Sequence, residues 1–195
     1  MNASEDTPKT NQRGVLYLVV CAAPRARRVG ELVDLLQADG WEVCVIATPQ
    51  ALSFIDRPAL EAQTGHPVRS DYKHPDAPDV LPDPDAMAVC PATFNTINKW
   101  AQGISDTLAL GLITEAIGMG LPLLAAPALN SAQAAHPAFE QSVATLRAAG
   151  VTVLYGPGIY EPGPPQTGGR PYEWEMVVRA LDGHVGPQRR SSPDG

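Results

Sequence analysis

The chain has 195 residues, 14 Lys and Arg against 21 Asp and Glu, a formal net charge of −7 and 44% hydrophobic residues. That length and apolar content suit one α/β domain with short tails, and the acidic balance argues against nucleic acid and anionic membranes as partners. No run approaches the roughly 20 apolar residues of a spanning helix.

Residues 1–13 are polar, with no apolar stretch behind a basic segment, and are expected to be a disordered tail that is neither secretion signal nor anchor. Gly14 to Cys21 reads as a central strand, and Arg27 to Ala38 has the apolar spacing of an amphipathic helix closed by Gly40. Trp41 to Ala47 is a second strand, and the three elements form a right-handed βαβ unit. The three cysteines, Cys21, Cys44 and Cys90, each lie in or at the end of an apolar strand-like run. That placement implies buried, reduced thiols and a cytoplasmic protein.

Between Asp56 and Pro84 the prolines at positions 58, 67, 75, 78, 82 and 84 predict a loop, with one short strand over Pro67 to Ser70. Asp85 to Cys90 reads as a buried parallel strand stopped by Pro91. A helix is expected over Thr93 to Gln102, and a further one from an Asp106 cap to Met119. Leu121 to Ala126 is a strand ended by Pro127, Ser131 to Ala149 a helix, and Val151 to Leu154 the last strand. Tyr155 to Arg170, rich in Gly and Pro, exceeds a usual connection and reads as a mobile flap or lid. Tyr172 to Leu181 forms a closing helix, and 183–195 a second disordered tail. The pattern predicts a Rossmann-like (flavodoxin-like) α/β fold, a doubly wound parallel sheet of about five or six strands flanked by helices, in a single domain over 14–182.

The stretch with most chemical content is Pro91 to Lys99 followed by Gly103 to Leu108, which reads as a ligand site, and within it the run Pro91-Ala92-Thr93-Phe94-Asn95-Thr96, where a strand exit meets polar side chains and a helix entry. Open α/β sheets bind ligands at the carboxyl ends of their strands, so Thr93, Phe94, Asn95 and Thr96 are candidate ligand contacts. Asn95 also suits a plain helix cap. The run resembles the Pro-x-Ser-Ala-Asn-Thr signature of the homo-oligomeric flavin-containing cysteine decarboxylases. Pro127-Ala128-Leu129-Asn130 resembles that superfamily's Pro-x-Met-Asn motif, and Thr48-Pro49-Gln50-Ala51-Leu52-Ser53-Phe54 its flavin-side Thr-x-x-Ala-x-x-Phe turn. The likeness runs from about Gly14 to about Leu154.

What the resemblance implies is an FMN cofactor held by Thr48, Ser53 and Phe54, by Thr93 to Thr96, and by Ala128. It also places FMN against the turn Ala22-Ala23-Pro24-Arg25, which stands where the family has Gly-Ser. There the backbone amides of Ala22 and Ala23 and the Arg25 guanidinium are the candidate phosphate partners, a surface arginine being the plain alternative for Arg25. Thr48 and Ser53, taken alone, suit helix caps equally. The family's asparagine that contacts the substrate carboxylate corresponds to Asn130, while its following Met-Trp is replaced by Gln133 and Ala134. His136-Pro137 resembles a downstream His-Pro and carries no implied catalysis. For the base near the substrate thiol the candidates are His74 and, second, His66, since a histidine titrates near neutrality.

The implied reaction is oxidation of a cysteine side chain toward a thioaldehyde, then loss of carbon dioxide to leave an enethiol. The substrate would be a cysteine-terminated peptide or small thiol. The absence of any cysteine after Cys90 argues against the coenzyme A pathway enzyme, which uses a flap cysteine. Three alternatives stay open: flavin prenyltransferase-like chemistry, an oxidoreductase, and a non-catalytic flavin-binding protein. The family assembles into homotrimers or dodecamers, and Trp100 suits an interface or a core equally. No metal site is expected.

Overall fold

A computed structural model describes residues 13–74, 76, 78–167 and 173–183. The expected tails, except Arg13 and Gly183, and the end of the flap at Arg170 lie outside the described residues. Arg13 itself is anchored, its backbone amide donating to the Gly40 carbonyl at 3.0 Å.

Five parallel strands form the sheet: β1 (Gly14–Val20), β2 (Trp41–Ala47), β3 (Ala86–Ala92), β4 (Leu123–Pro127) and β5 (Thr152–Val153), in the order β2-β1-β3-β4-β5. Their residues are apolar on both faces because both faces are covered, which is why these segments read as continuous hydrophobic runs. One face packs on α1 (Val29–Ala38), α2 (Arg57–Thr64) and α7 (Trp174–Asp182), through residues such as Leu32, Leu36, Leu60 and Val177. The other packs on α3 (Phe94–Ala101), α4 (Leu108–Met119) and α6 (Pro137–Ala148), through Ile97, Ile113 and Phe139. A short α5 (Ser131–Ala134) precedes α6.

β1 and β3 meet through a side-chain clasp at their starts: the Val15 amide donates to Asp85 Oδ2 at 2.7 Å. A side chain at Gly14, whose φ is +118°, would collide with the Asp85 carboxylate, so this position requires glycine.

Several elements differ from the sequence reading. Residues 57–64 form a helix despite Pro58, because proline is tolerated in a first turn that needs no amide donor. Asp56 caps that helix, accepting from the Ala59 amide at 3.1 Å, and Gly65 ends it in the left-handed region. Only the single bridge Ile46–Arg69 represents the strand expected at 67–70. β3 continues through Pro91 to Ala92, with its register to β4 shifting between Val89 and Ala92, an irregularity of the kind that accommodates proline in a strand. The cap of α4 is Thr107, whose Oγ1 accepts from the Leu110 amide at 3.3 Å, while Asp106 pairs with Lys99. The helix expected over 131–149 is broken at Pro137, with His136 capping α6 through Nδ1. Trp100 is core: it is 2% exposed and donates through Nε1 to the Ile113 carbonyl.

Candidate functional site

The chain winds outward from β1 in both directions, so β1 and β3 flank the topological switch point, where the loops after adjacent strands part and open a crevice. A cavity of about 820 Å³ lies there, within the few hundred to 1,000 Å³ of small-molecule sites. Its wall takes Ala22, Ala23, Pro24 and Arg25 after β1, Thr48 after β2, Thr93, Phe94, Asn95 and Thr96 after β3, and Ala128 and Asn130 after β4. Four separate turns named from the sequence are thus brought together.

Each turn is fixed by local chemistry. The Ala23 amide donates to the Cys21 carbonyl at 2.9 Å and is therefore spent within the turn, where the sequence reading made it a phosphate donor. A 3-10 turn over Pro24–Arg28 delays the start of α1 to Val29, which leaves the Arg25 side chain as the charged group this turn presents to the cavity. Thr93 caps α3, its Oγ1 accepting from the Thr96 amide at 3.4 Å and lying 3.0 Å from Thr96 Oγ1. Because Thr93 takes the cap, Asn95 stands exposed on the first turn of α3. Against these threonines the Cys21 thiol is wholly buried behind the cavity wall, and burial pushes its pKa up, so it stays neutral.

Asn130 caps α5 through Oδ1, accepting from the Gln133 amide, which leaves Nδ2 as its donor group. Phe94 packs edge-on against His136, with ring centres 5.7 Å apart, and stacks at 6.2 Å on Phe139. The flap folds over the same opening. Tyr160 Oη donates to the Leu129 carbonyl at 3.3 Å and the Ser131 amide to the Gly163 carbonyl at 2.8 Å, and Tyr160, Pro164 and Gln166 join the lining. Burial raises the Tyr160 pKa, opposed by the nearby Arg25 charge.

The candidates Ser53, Phe54, His74 and His66 lie outside this lining. Ser53 Oγ donates to the Gln50 carbonyl within a 3-10 turn, and Phe54 packs into the core face of α1 beneath Arg27. His74 is exposed in the proline-rich segment, its Nδ1 3.4 Å from Asp76 Oδ2. His66 Nε2 lies 3.0 Å from Glu42 Oε1. Of the remaining lining residues, Lys99 and Thr107 fall within the stretch read as a ligand site and Tyr160, Pro164 and Gln166 within the expected lid, none of them singled out as a contact, and Leu110 and Gln133 were not assigned to the site at all. Lys99 lies one turn after Asn95 on α3, which a helical projection would reveal, whereas the flap has no periodicity to read.

Among the described residues the lining holds two cationic side chains, Arg25 and Lys99, and no carboxylate, in a chain of net charge −7. Threonine, asparagine and glutamine groups supply a neutral polar wall, and Phe94, Leu110, Leu129 and Tyr160 an apolar one. Such a set fits a cofactor with an anionic end, a polyhydroxylated chain and a flat apolar ring.

The FMN-dependent cysteine decarboxylase SpaF superposes with a TM-score of 0.70 at 24% identity, over 87% of this chain and 95% of that one. The FMN-dependent cysteine decarboxylase TvaF, from thioviridamide biosynthesis, gives 0.62 at 26% identity, over 73% of this chain and 90% of that one. The coenzyme A biosynthesis bifunctional protein CoaBC of Thermococcus kodakarensis is 33% identical over 144 residues, 70% of this chain and 36% of the relative. The chain thus spans about a third of the length of that relative. A family model described as Flavoprotein matches residues 2–186, and the chain belongs to the flavoprotein family.

Proposed function

We propose that this protein binds FMN in the switch-point cavity and oxidatively decarboxylates a cysteine-terminated peptide or small thiol to an enethiol. The observation that carries the reading is the convergence of the Pro91 to Thr96 and Pro127 to Asn130 turns on one cationic, carboxylate-free cavity. Similarity to proteins described as FMN-dependent cysteine decarboxylases supports it. When bound, FMN supplies a two-electron acceptor for a substrate thiol.

The residues then divide the work. Arg25 holds the phosphate, while Thr48, Thr93, Asn95 and Thr96 hydrogen-bond the polar chain and ring edge. Ala22, Ala23, Pro24, Phe94 and Ala128 give the close apolar wall. Asn130 Nδ2 donates to the substrate carboxylate, the group that leaves as carbon dioxide, and residues 155–167 cover the site against water. No cysteine follows Cys90, so the flap carries no thiol to return electrons to the product, and the reaction stops at the oxidised enethiol.

His66 is held by Glu42. His74 shares its loop with Tyr72, 63% exposed, beside the similarly exposed Met119. This apolar surface suits packing in a homotrimer, alone or within a dodecamer, and His74 would serve as the base only in a neighbouring subunit's cavity. A cytoplasmic location fits the three buried cysteine thiols.

The test is incubation of the FMN-loaded protein with peptides ending in cysteine, followed by mass spectrometry. Loss of carbon dioxide and two hydrogens is expected. Loss of carbon dioxide alone would signify redox-neutral decarboxylation, and an unchanged peptide would overturn the reading.

A further inference from the structure

Arg25 is set into the cavity wall by a residue remote in sequence. Its Cζ lies 4.7 Å from the centre of the Trp174 ring, at the first turn of α7. Trp174 is 7% exposed, and its Nε1 donates to Glu31 Oε2 on α1 at 3.2 Å. Arg28 grips both oxygens of the same carboxylate, at 2.7 and 2.8 Å. The Glu31 carboxylate is therefore engaged by Arg28 and by the indole.

The geometry has a chemical consequence. Contact with an aromatic ring engages the face of a guanidinium, whereas phosphate is bound through its N–H edge. An arginine laid against Trp174 is thus oriented before an anion arrives, with less side-chain entropy left to lose on binding. Lys99, the other cation of the lining, is paired with Asp106. Removing the indole would take away the platform and one of the two donors on Glu31 Oε2, leaving that oxygen to Arg28.

We propose that Trp174 is a positioning residue: tethered by Glu31, it holds Arg25 at the cavity wall and thereby makes the site select phosphorylated over unphosphorylated flavin. This rests on the reading of the cavity as a flavin site.

The experiment is titration of the full chain with FMN and with riboflavin, followed by flavin fluorescence, for the natural sequence, Arg25→Met, Trp174→Leu and Trp174→Phe. The natural protein is expected to prefer FMN. Arg25→Met should reduce that preference by roughly ten- to a hundredfold, the range for a charge-assisted contact. Trp174→Leu should reproduce most of the reduction with riboflavin affinity retained, and Trp174→Phe, which keeps a ring but loses the Glu31 tether, a smaller part. A merely structural tryptophan would weaken both flavins alike. An unaltered FMN-to-riboflavin ratio in both Trp174 variants, or equal affinity of the natural protein for the two flavins, would overturn the inference and leave the flavin site standing. Failure of the natural protein to bind either flavin would overturn both. Should Trp174→Leu not fold, Trp174→Phe and Arg25→Met decide the matter.

Discussion

Asn130 and Gln133 cap one another: Asn130 Oδ1 accepts from the Gln133 amide at 3.0 Å, and Gln133 Oε1 accepts from the Asn130 amide at 3.2 Å. The reciprocal bonds fix α5 and leave Nδ2 of Asn130, a residue of the cavity lining, outside the cap. Asn130→Asp keeps a good cap but replaces a donor by a negative charge. Its stability should change by less than about 1 kcal/mol, while substrate affinity falls at least about tenfold and FMN affinity stays. Thermal denaturation and separate titrations with flavin and with peptide check this. Asn130→Ala should in addition lose about 1 kcal/mol of stability with the cap.

Thr93 and Asn95 are separable in the same way. Thr93 caps α3, so Thr93→Ala should cost about 1 kcal/mol in urea denaturation without ligand. Asn95→Ala, at an exposed position beyond the cap, should leave that stability within about 0.5 kcal/mol and weaken FMN retention instead. A stability loss at Asn95 equal to that at Thr93 would show a structural asparagine.

The three thiols should be inert in the folded protein. Cys21, Cys44 and Cys90 are each at most 1% exposed, and burial pushes the Cys44 pKa up to about 12. Alkylation at neutral pH followed by mass spectrometry should leave the native chain unmodified and add three groups after denaturation. Rapid modification of native Cys21 would mean that the turn of Thr93 and Thr96 packed against it opens.

Tyr17 and Cys44 are partners across β1 and β2, and burial raises both pKa values to about 12, from 10.0 and 9.0. Both groups hold their protons more tightly when folded, so their contribution is complete below pH 9.0 and is lost as pH climbs toward about 12. Unfolding free energy should fall through that window by about 1.4 kcal/mol per pH unit for each group titrating only in the unfolded chain. Cys44→Ala should flatten the early part of the fall. Stability unchanged through this range would contradict the burial of both.

Much of the fold was legible because parallel strands buried on both faces leave continuous apolar runs; β2 was read to the residue over Trp41 to Ala47. Prolines misled in both directions. Pro58 and Pro91 were read as breaks, yet one sits in a helix's first turn and the other at a register shift inside β3. Pro137, read as interior to a helix, starts a new one behind His136. Of the candidate site, the residues directly after strand ends converge on the cavity, since topology alone puts them there. Ser53 and Phe54 lie one turn further on, where a 3-10 twist carries them away, and no local pattern announces it. Trp174 was illegible for another reason: its contact with Glu31 spans 143 positions and depends on how α7 docks.

The central claim is that the cavity holds FMN, and the visible absorption spectrum of the purified protein, with mass spectrometry of whatever denaturation releases, tests it most directly. The expected result is a yellow protein, or one that turns yellow on addition of FMN, releasing FMN itself. A colourless protein that takes up no added FMN would contradict the account, and the decarboxylase reading would fall with it.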